Sequence, residues 1–197
     1  MTHTPDKDSR RRLVAWVGCF TVATLVAEAT ASAQLGIFKR NKGTTYQTFR
    51  DPAGRFVIEY PTKDWRVNQA KGSIVASFTQ KNGEAAVAVE YSKLKLALTR
   101  DEIDDVVLKL EVDALKEKDP SVRDVNANIG QGPSGPRIVI RYTRNGTGGR
   151  EHVEQYSVPV GDELYRVSCS ARITAQARYQ PILTYIAGSF SLLRTQS

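Results

Sequence analysis

The chain has 197 residues, of which 41% are hydrophobic and 25% charged, and its mean hydropathy is −0.36. This is the composition of a globular protein, and it excludes a disordered chain, a collagen-like chain and a protein with many membrane spans. Two cysteines and two histidines also exclude a cysteine-rich zinc site or a framework of disulfides. The net charge of +7 is moderately basic, and its meaning depends on where the charges lie.

Residues 1–33 have the parts of a secretory signal peptide. A positive segment precedes an apolar stretch at residues 13–27, and small residues then predict cleavage between Ala33 and Gln34. The apolar stretch is shorter than the ~20 residues that span a bilayer. A cleaved signal is therefore favoured, with an uncleaved membrane anchor as the alternative.

The positive segment of the signal is made by Arg10, Arg11 and Arg12. This run matches the twin-arginine export signal, but an ordinary Sec signal also carries arginines here, so both routes stay open. Either route predicts an exported protein that works in the periplasm or outside the cell.

The predicted mature chain begins with a short basic leader, residues 34–43, which has no periodicity and is expected to be flexible. Residues 44–197 are expected to form a single domain. One cysteine, Cys169, and one histidine, His152, remain in it. A single cysteine predicts that no intramolecular disulfide forms.

Alternating apolar and polar residues dominate the first half of this domain and predict β-strands. The predicted strands cover residues 46–50, 55–60, 64–67, 73–80 and 85–91. Asp51-Pro52-Ala53-Gly54 predicts a turn between the first two. Asn82-Gly83, between the last two, is the strongest short signal for a hairpin.

A helix is predicted over residues 99–118, where apolar residues recur at helical spacing. Thr99 and Glu102 fit a capping box at its start, and Asp119-Pro120 predicts its end. Strand patterns return at residues 137–144, 150–158 and 163–171, followed by a second helix at 178–187 and a final strand at 190–193. This order predicts an α+β fold: an antiparallel β-sheet flanked by helices, one on each face.

His152 and Cys169 are the residues that could form a Cys–His dyad. If Pro159 to Asp162 is the loop between their strands, the two residues lie opposite each other. If Gly161-Asp162 is a two-residue turn, they are diagonal neighbours on one face. That face is otherwise apolar, so we interpret Cys169 as a core residue and not as a nucleophile.

Other motifs with a known chemistry have structural explanations. The glycines at 130, 132 and 135 match G-x-G-x-x-G, but a strand follows them and not a helix, so they predict a turn. Asp101, Glu102, Asp104 and Asp105 are explained by the dipole at the start of a helix. The positive charge is spread without an arginine stripe, so no nucleic acid partner is predicted.

Three segments resemble the PsbP family, the lumenal extrinsic subunits of photosystem II and their relatives. Residues 56–61 with Asp64-Trp65 resemble the opening strand of the family. Residues 73–91 resemble its next hairpin. The third segment resembles the closing strand, helix and Ser-Phe end of the family. It consists of Leu164-Tyr165-Arg166-Val167, Tyr179 and residues 186–190.

The resemblance implies an α/β/α sandwich and a non-enzymatic protein that binds or helps assemble a membrane complex. No catalytic, cofactor-binding or metal-binding residue is carried over from it, and no cofactor is predicted. The leading hypothesis is an exported accessory factor that binds a protein or a membrane complex. The alternative is a carrier of a small molecule or lipid, held in a cavity between helix 99–118 and the sheet.

Overall fold

The computed structural model describes residues 43–68, 70–98, 102–132 and 135–193. The predicted signal peptide, its cleavage position and all of the basic leader except Gly43 lie outside these residues. Within them the chain forms, in order, β1 (Tyr46–Arg50), β2 (Phe56–Pro61), β3 (Trp65–Asn68), β4 (Ile74–Gln80), β5 (Ala85–Leu98), α1 (Asp105–Lys118), β6 (Arg123–Gly132), β7 (Gly135–Gly146), β8 (Gly149–Arg172), α2 (Gln176–Ser189) and β9 (Ser191–Leu192). Neither helix in this part of the chain is long and apolar enough to cross a membrane.

The strands form two antiparallel sheets. The large sheet has the order β3-β4-β5-β8-β7-β6, and the small sheet has the order β1-β2-β9. The chain runs from β3 to β5 as a meander, crosses through α1 to the far edge of the sheet, and returns through β6 and β7 to β8. Strand β8 therefore lies between β5 and β7 and joins the first meander, β3 to β5, to the second, β6 to β8.

Strand β8 is a 24-residue extended segment that reverses direction near its middle. Its first half pairs with β7 and its second half with β5. The Ser168 hydroxyl lies 3.5 Å from Gln155 Oε1, whereas thirteen residues of straight strand would separate these residues by about 43 Å. The reversal lies at Gly161, whose φ of +61° favours glycine, and strand backbone continues up to that residue. This agrees with the second of the two alternatives that the sequence left open, a two-residue Gly161-Asp162 turn, and not with a loop from Pro159 to Asp162.

The large sheet carries a hydrophobic cluster on each face. On one face, α2 and the small sheet cover a core that includes Phe56, Phe78, Val87, Val167 and Ile186. On the other face, α1 covers a smaller cluster around Ile138, Ile140, Tyr142 and Val153. The fold is therefore α+β, an antiparallel sheet flanked by helices, which confirms the fold class predicted from the sequence.

Helix α1 begins later than predicted, at Asp105, and its cap is Asp104. The Asp104 carboxylate accepts hydrogen bonds of 3.0 Å from the backbone N–H groups of Val106 and Val107. Ile103 before the cap and Leu108 in the first turn belong to the same hydrophobic cluster, which is the arrangement of a hydrophobic staple. Thr99, the first residue of the predicted capping box, lies outside the described residues; the helix itself starts after the predicted position, where this staple and the aspartate fix its first turn.

Two further differences concern β6 and α2. No strand was predicted at β6, whose Asn-rich and Gly-rich sequence has low intrinsic strand propensity. Its pairing with β7 along the sheet edge makes it a strand nonetheless. Helix α2 starts two residues before its predicted position, and Pro181 lies in its second turn.

Candidate functional site

A cavity of about 440 Å³ lies between α1 and the face of the large sheet that this helix covers. Its floor comes from four strands and its roof from the second half of α1. The floor residues are Ile74, Ala88, Glu90, Tyr142, Arg144, Gln155, Arg166 and Ser168, and the roof residues are Glu111, Ala114, Leu115, Lys118 and Asp119. This is the location that the carrier hypothesis requires, and the volume falls within the ~300–1,000 Å³ of small-molecule sites.

The cavity exists because small side chains face one another across it. Ala88 and Ser168 are direct cross-strand neighbours on the floor, and Ala114 faces them from the helix. No residue of α1 is fully buried, so the helix does not pack closely onto this part of the sheet. Close packing is the rule in protein interiors, so a hollow of this size is an unusual feature.

A short ion pair joins the helix to the floor beside the cavity. The Arg166 guanidinium donates to both carboxylate oxygens of Glu111, at 2.7 and 3.1 Å. The Ser157 hydroxyl also donates to this carboxylate, at 3.3 Å. A bidentate, partly buried pair of this kind fixes geometry well, so it sets the distance between the roof and the floor.

Asp119 accepts short hydrogen bonds from the backbone N–H and the hydroxyl of Ser121, at 2.9 and 2.7 Å, but several other polar groups of the lining make long contacts. The Lys118 ammonium lies 3.7 Å from the Glu90 carboxylate, and the Arg144 guanidinium lies 3.4 Å from Glu151. The bond from the Ser168 hydroxyl to Gln155 measures 3.5 Å. Strong hydrogen bonds measure about 2.7–3.0 Å, so these donors and acceptors keep capacity for a further partner.

Tyr142 places a hydroxyl at the cavity wall. The residue is 2% exposed, and burial raises the pKa of its phenol above the ordinary value, so the group is a neutral donor and acceptor. Among the described residues, the hydroxyl has no hydrogen-bond partner in the protein. The buried side-chain atoms that lack a partner in the described part of the chain do not include this oxygen, so it is open to the cavity, where a ligand or solvent can bond to it.

An apolar stripe on α1 leads to the roof of the cavity. Val106 and Leu110 are 64% and 62% exposed, and Ala114 follows at the same spacing and lines the cavity. Residues four apart share one face of a helix, so the three form one stripe. Lys109 and Asp113 pair beside it at 2.7 Å and give it a charged border.

The structure does not make a reactive pair of His152 and Cys169. Both lie on the sheet face opposite the cavity, because the side chains of neighbouring strand residues alternate. The Cys169 thiol is buried and contacts the carbonyl oxygen of Leu183 in α2 at 3.7 Å. Burial raises the pKa of this thiol and lowers that of the His152 imidazole, which disfavours a thiolate.

The remaining sequence motifs also have structural roles in the described residues. Asp104 caps α1, and no group of three or more potential metal ligands is found in the part of the chain that the structure describes. Gly132 and Gly135 face each other at the turn between β6 and β7. The sequence analysis predicted a cavity between this helix and the sheet but named none of the residues that line it. Only the alternation of side chains along β7, which places Tyr142 in the cavity, could have identified a lining residue.

Comparison with known proteins gives no match to a family model and none to a curated protein. Solved structures do match. The chain is similar to the solution structure of cyanobacterial PsbP (CyanoP) from Synechocystis sp. PCC 6803, with a TM-score of 0.58 and 13% identity over 78% of this chain and 98% of that one. It is also similar to the crystal structure of LpqN from Mycobacterium tuberculosis, with a TM-score of 0.55 and 11% identity over 77% of this chain and 92% of that one.

Identities this low establish the fold and nothing finer. The two helices on opposite faces of an antiparallel sheet define the class, an α/β/α sandwich. Within that class, the chain has a PsbP-like fold, as the sequence resemblance predicted.

Proposed function

We propose that this protein is an exported, non-catalytic binding domain that serves as an accessory factor of a membrane complex or of its assembly. The observation that carries the proposal is the exposed apolar stripe on α1. The fold supports it as well, since CyanoP is a PsbP protein and LpqN is described as involved in cell envelope biogenesis. Proteins with the same fold often have different functions. The experiment below therefore tests the proposal at the stripe.

The stripe has the composition of a small protein-binding patch. Val106 and Leu110 are large apolar side chains that stand more than half exposed on a helix, and the Lys109–Asp113 pair borders them. Interfaces commonly combine an apolar centre with a polar rim. A partner protein that covers these two side chains gains the free energy of removing them from water.

We expect Val106→Gln with Leu110→Gln to abolish recognition of the partner without unfolding the protein. Both positions are exposed and glutamine favours helices, so the stability should change by less than about 0.5 kcal/mol per site. The measurement is capture from solubilised membranes of the source organism by immobilised protein, with quantitative mass spectrometry. A partner should be enriched by the unchanged protein and reduced at least tenfold with the double variant.

Ile173→Gln is the matched control for this experiment. Ile173 is 42% exposed in the short 3-10 turn before α2, away from α1, so its replacement should leave capture unchanged. Equal recovery of the same partner by the double variant and the unchanged protein would exclude the α1 stripe as the binding surface. Recovery of nothing above background would count against the accessory function itself.

Export is the second part of the proposal and has its own test. We expect the protein recovered from the exported fraction of its source to begin at Gln34, because cleavage after Ala33 follows the small-residue pattern. N-terminal sequencing measures this directly. Replacing Arg10 and Arg11 by lysine should block a twin-arginine route and leave a Sec route working. A full-length chain retained in the membrane would support the anchor alternative.

The cavity favours a second candidate function, the carriage of a small molecule. A well-packed interface between α1 and the sheet would have removed this hypothesis, and the 440 Å³ hollow supports it instead. The carrier and the accessory factor are compatible, since the stripe and the cavity use the same helix.

A further inference from the structure

We propose that the cavity binds an overall neutral, polyhydroxylated small molecule of monosaccharide to disaccharide size. This inference rests on the carrier function proposed above and names the chemical class of its ligand. Charge balance, hydrogen-bonding capacity and size support it independently.

The charges that line the cavity balance. Three cationic and three carboxylate side chains contribute to the lining, namely Lys118, Arg144, Arg166, Glu90, Glu111 and Asp119. A ligand with a net charge would meet an equal number of attractive and repulsive groups, and its own desolvation would not be repaid. A neutral ligand avoids that cost and can still bond to the charged groups whose protein contacts are long, Lys118, Glu90 and Arg144.

The lining offers donors and acceptors side by side, which suits hydroxyl groups. Each hydroxyl both donates and accepts, so neighbouring hydroxyls can bridge a cation and a carboxylate such as Lys118 and Glu90, which lie 3.7 Å apart. The long bond between Ser168 and Gln155 leaves both groups with capacity for a ligand. The hydroxyl of Tyr142 lies at the cavity wall without a protein partner in the described part of the chain, so it can also bond to a ligand.

The size of the cavity fits a sugar-like molecule better than a lipid. The volume lies at the small end of the range for ligand sites, so a long acyl chain would not be enclosed. Apolar surface, from Ile74 and Leu115 among others, makes up the larger part of the lining, and it can pack against the C–H groups of a sugar ring while the polar groups bond to its hydroxyls.

The experiment is isothermal titration calorimetry of the purified protein with maltose, glucuronate and glucosamine, which are neutral, anionic and cationic. We expect maltose to bind most tightly. Tyr142→Phe should weaken maltose binding about threefold to tenfold, the usual effect of losing one hydrogen bond, without lowering stability, because the lost hydroxyl had no protein partner. Ser168→Leu, which fills the floor, should abolish binding.

Tyr179→Phe is the matched control. Its hydroxyl donates to Glu84 at 3.1 Å beside α2, so this variant should bind maltose normally. Maltose binding that Tyr142→Phe and Ser168→Leu leave unchanged would place the sugar elsewhere and overturn the proposal.

Failure of the ligand class can be told from failure of the carrier function. Tighter binding of glucuronate or glucosamine, lost in Ser168→Leu, would overturn the neutral class and keep the carrier. If none of the three probes binds, the proposed class is overturned, and the stability of Ser168→Leu then decides about the carrier. A variant more stable than the unchanged protein would mean that the cavity is unfilled packing space.

Discussion

Replacing Phe56 by alanine is expected to lower the free energy of unfolding by about 3–5 kcal/mol, the usual cost of removing a buried phenylalanine ring. Phe56 is fully buried at the start of β2. Its ring lies 5.3 Å from that of Phe190 and 6.4 Å from that of Tyr165, measured between ring centres. Since Tyr165 belongs to the large sheet and Phe56 to the small one, the substitution opens the contact between the two sheets.

Urea unfolding followed by circular dichroism measures this effect. The urea concentration at the midpoint of unfolding should fall. The slope of the free energy of unfolding against urea concentration should stay constant, because the surface exposed on unfolding is nearly unchanged. Val67→Ala is the control, since Val67 is 39% exposed on β3 and its loss should cost less than about 1 kcal/mol. Equal effects of the two substitutions would show that the small sheet is not packed onto the large one through Phe56.

Replacing Asp51 by asparagine is expected to cost about 3 kcal/mol at neutral pH, because breaking a buried ion pair leaves the other charge without its partner. The Asp51 side chain is 1% exposed, and that of Arg55 is 15% exposed. The Arg55 guanidinium donates to both carboxylate oxygens, at 2.6 and 2.9 Å. The pair holds the turn between β1 and β2, where Asp51 also bonds through its backbone to Phe56 and Gly54.

The effect of Asp51→Asn should depend on pH. The hydrogen bonds from Arg55 lower the pKa of the Asp51 carboxyl in the folded protein. A lowered folded pKa means that the carboxylate stabilises the fold at any pH above its unfolded value of about 3.9, and that this contribution is lost as the pH falls through the folded pKa. The difference in stability between the two proteins should therefore be full at pH 7 and shrink at pH values below about 4.

Chemical unfolding of both proteins across this pH range makes the comparison. Asp113→Asn is the control, because Asp113 pairs with Lys109 on the exposed surface of α1 and surface pairs contribute little. A difference between unchanged protein and Asp51→Asn that is independent of pH would mean that the ion pair is not the source of the lost stability.

The sequence predicted the structural elements that are determined by residues close together in the chain. The turn at residues 51–54 and the hairpin at 81–84 depend on short stretches of chain, and both are present. Strand β6 was missed because its residues form a strand through their pairing with β7. The start of α1 was missed because Ile103 must pack against a cluster that exists only in the folded protein.

The residues that line the cavity were harder to predict from the sequence than the helices and strands. Its floor combines residues from β4, β5, β7 and β8, and the order of strands in the sheet decides that they become neighbours. Its volume depends on small residues, Ala88, Ser168 and Ala114, which are unremarkable in isolation. The family resemblance predicted the architecture because apolar packing positions carry it, and such positions say nothing about polar groups within a hollow.

The pairing of β5 with β8 has a consequence for how the protein assembles. Each of the two meanders, β3 to β5 and β6 to β8, can form from contacts between near neighbours, whereas β5 and β8 join residues about 80 positions apart, such as Val87 and Cys169. Such distant contacts form slowly. Ala88 and Ser168 face each other across this junction, so a captured molecule would touch both halves, tie them together and delay their separation when the protein unfolds.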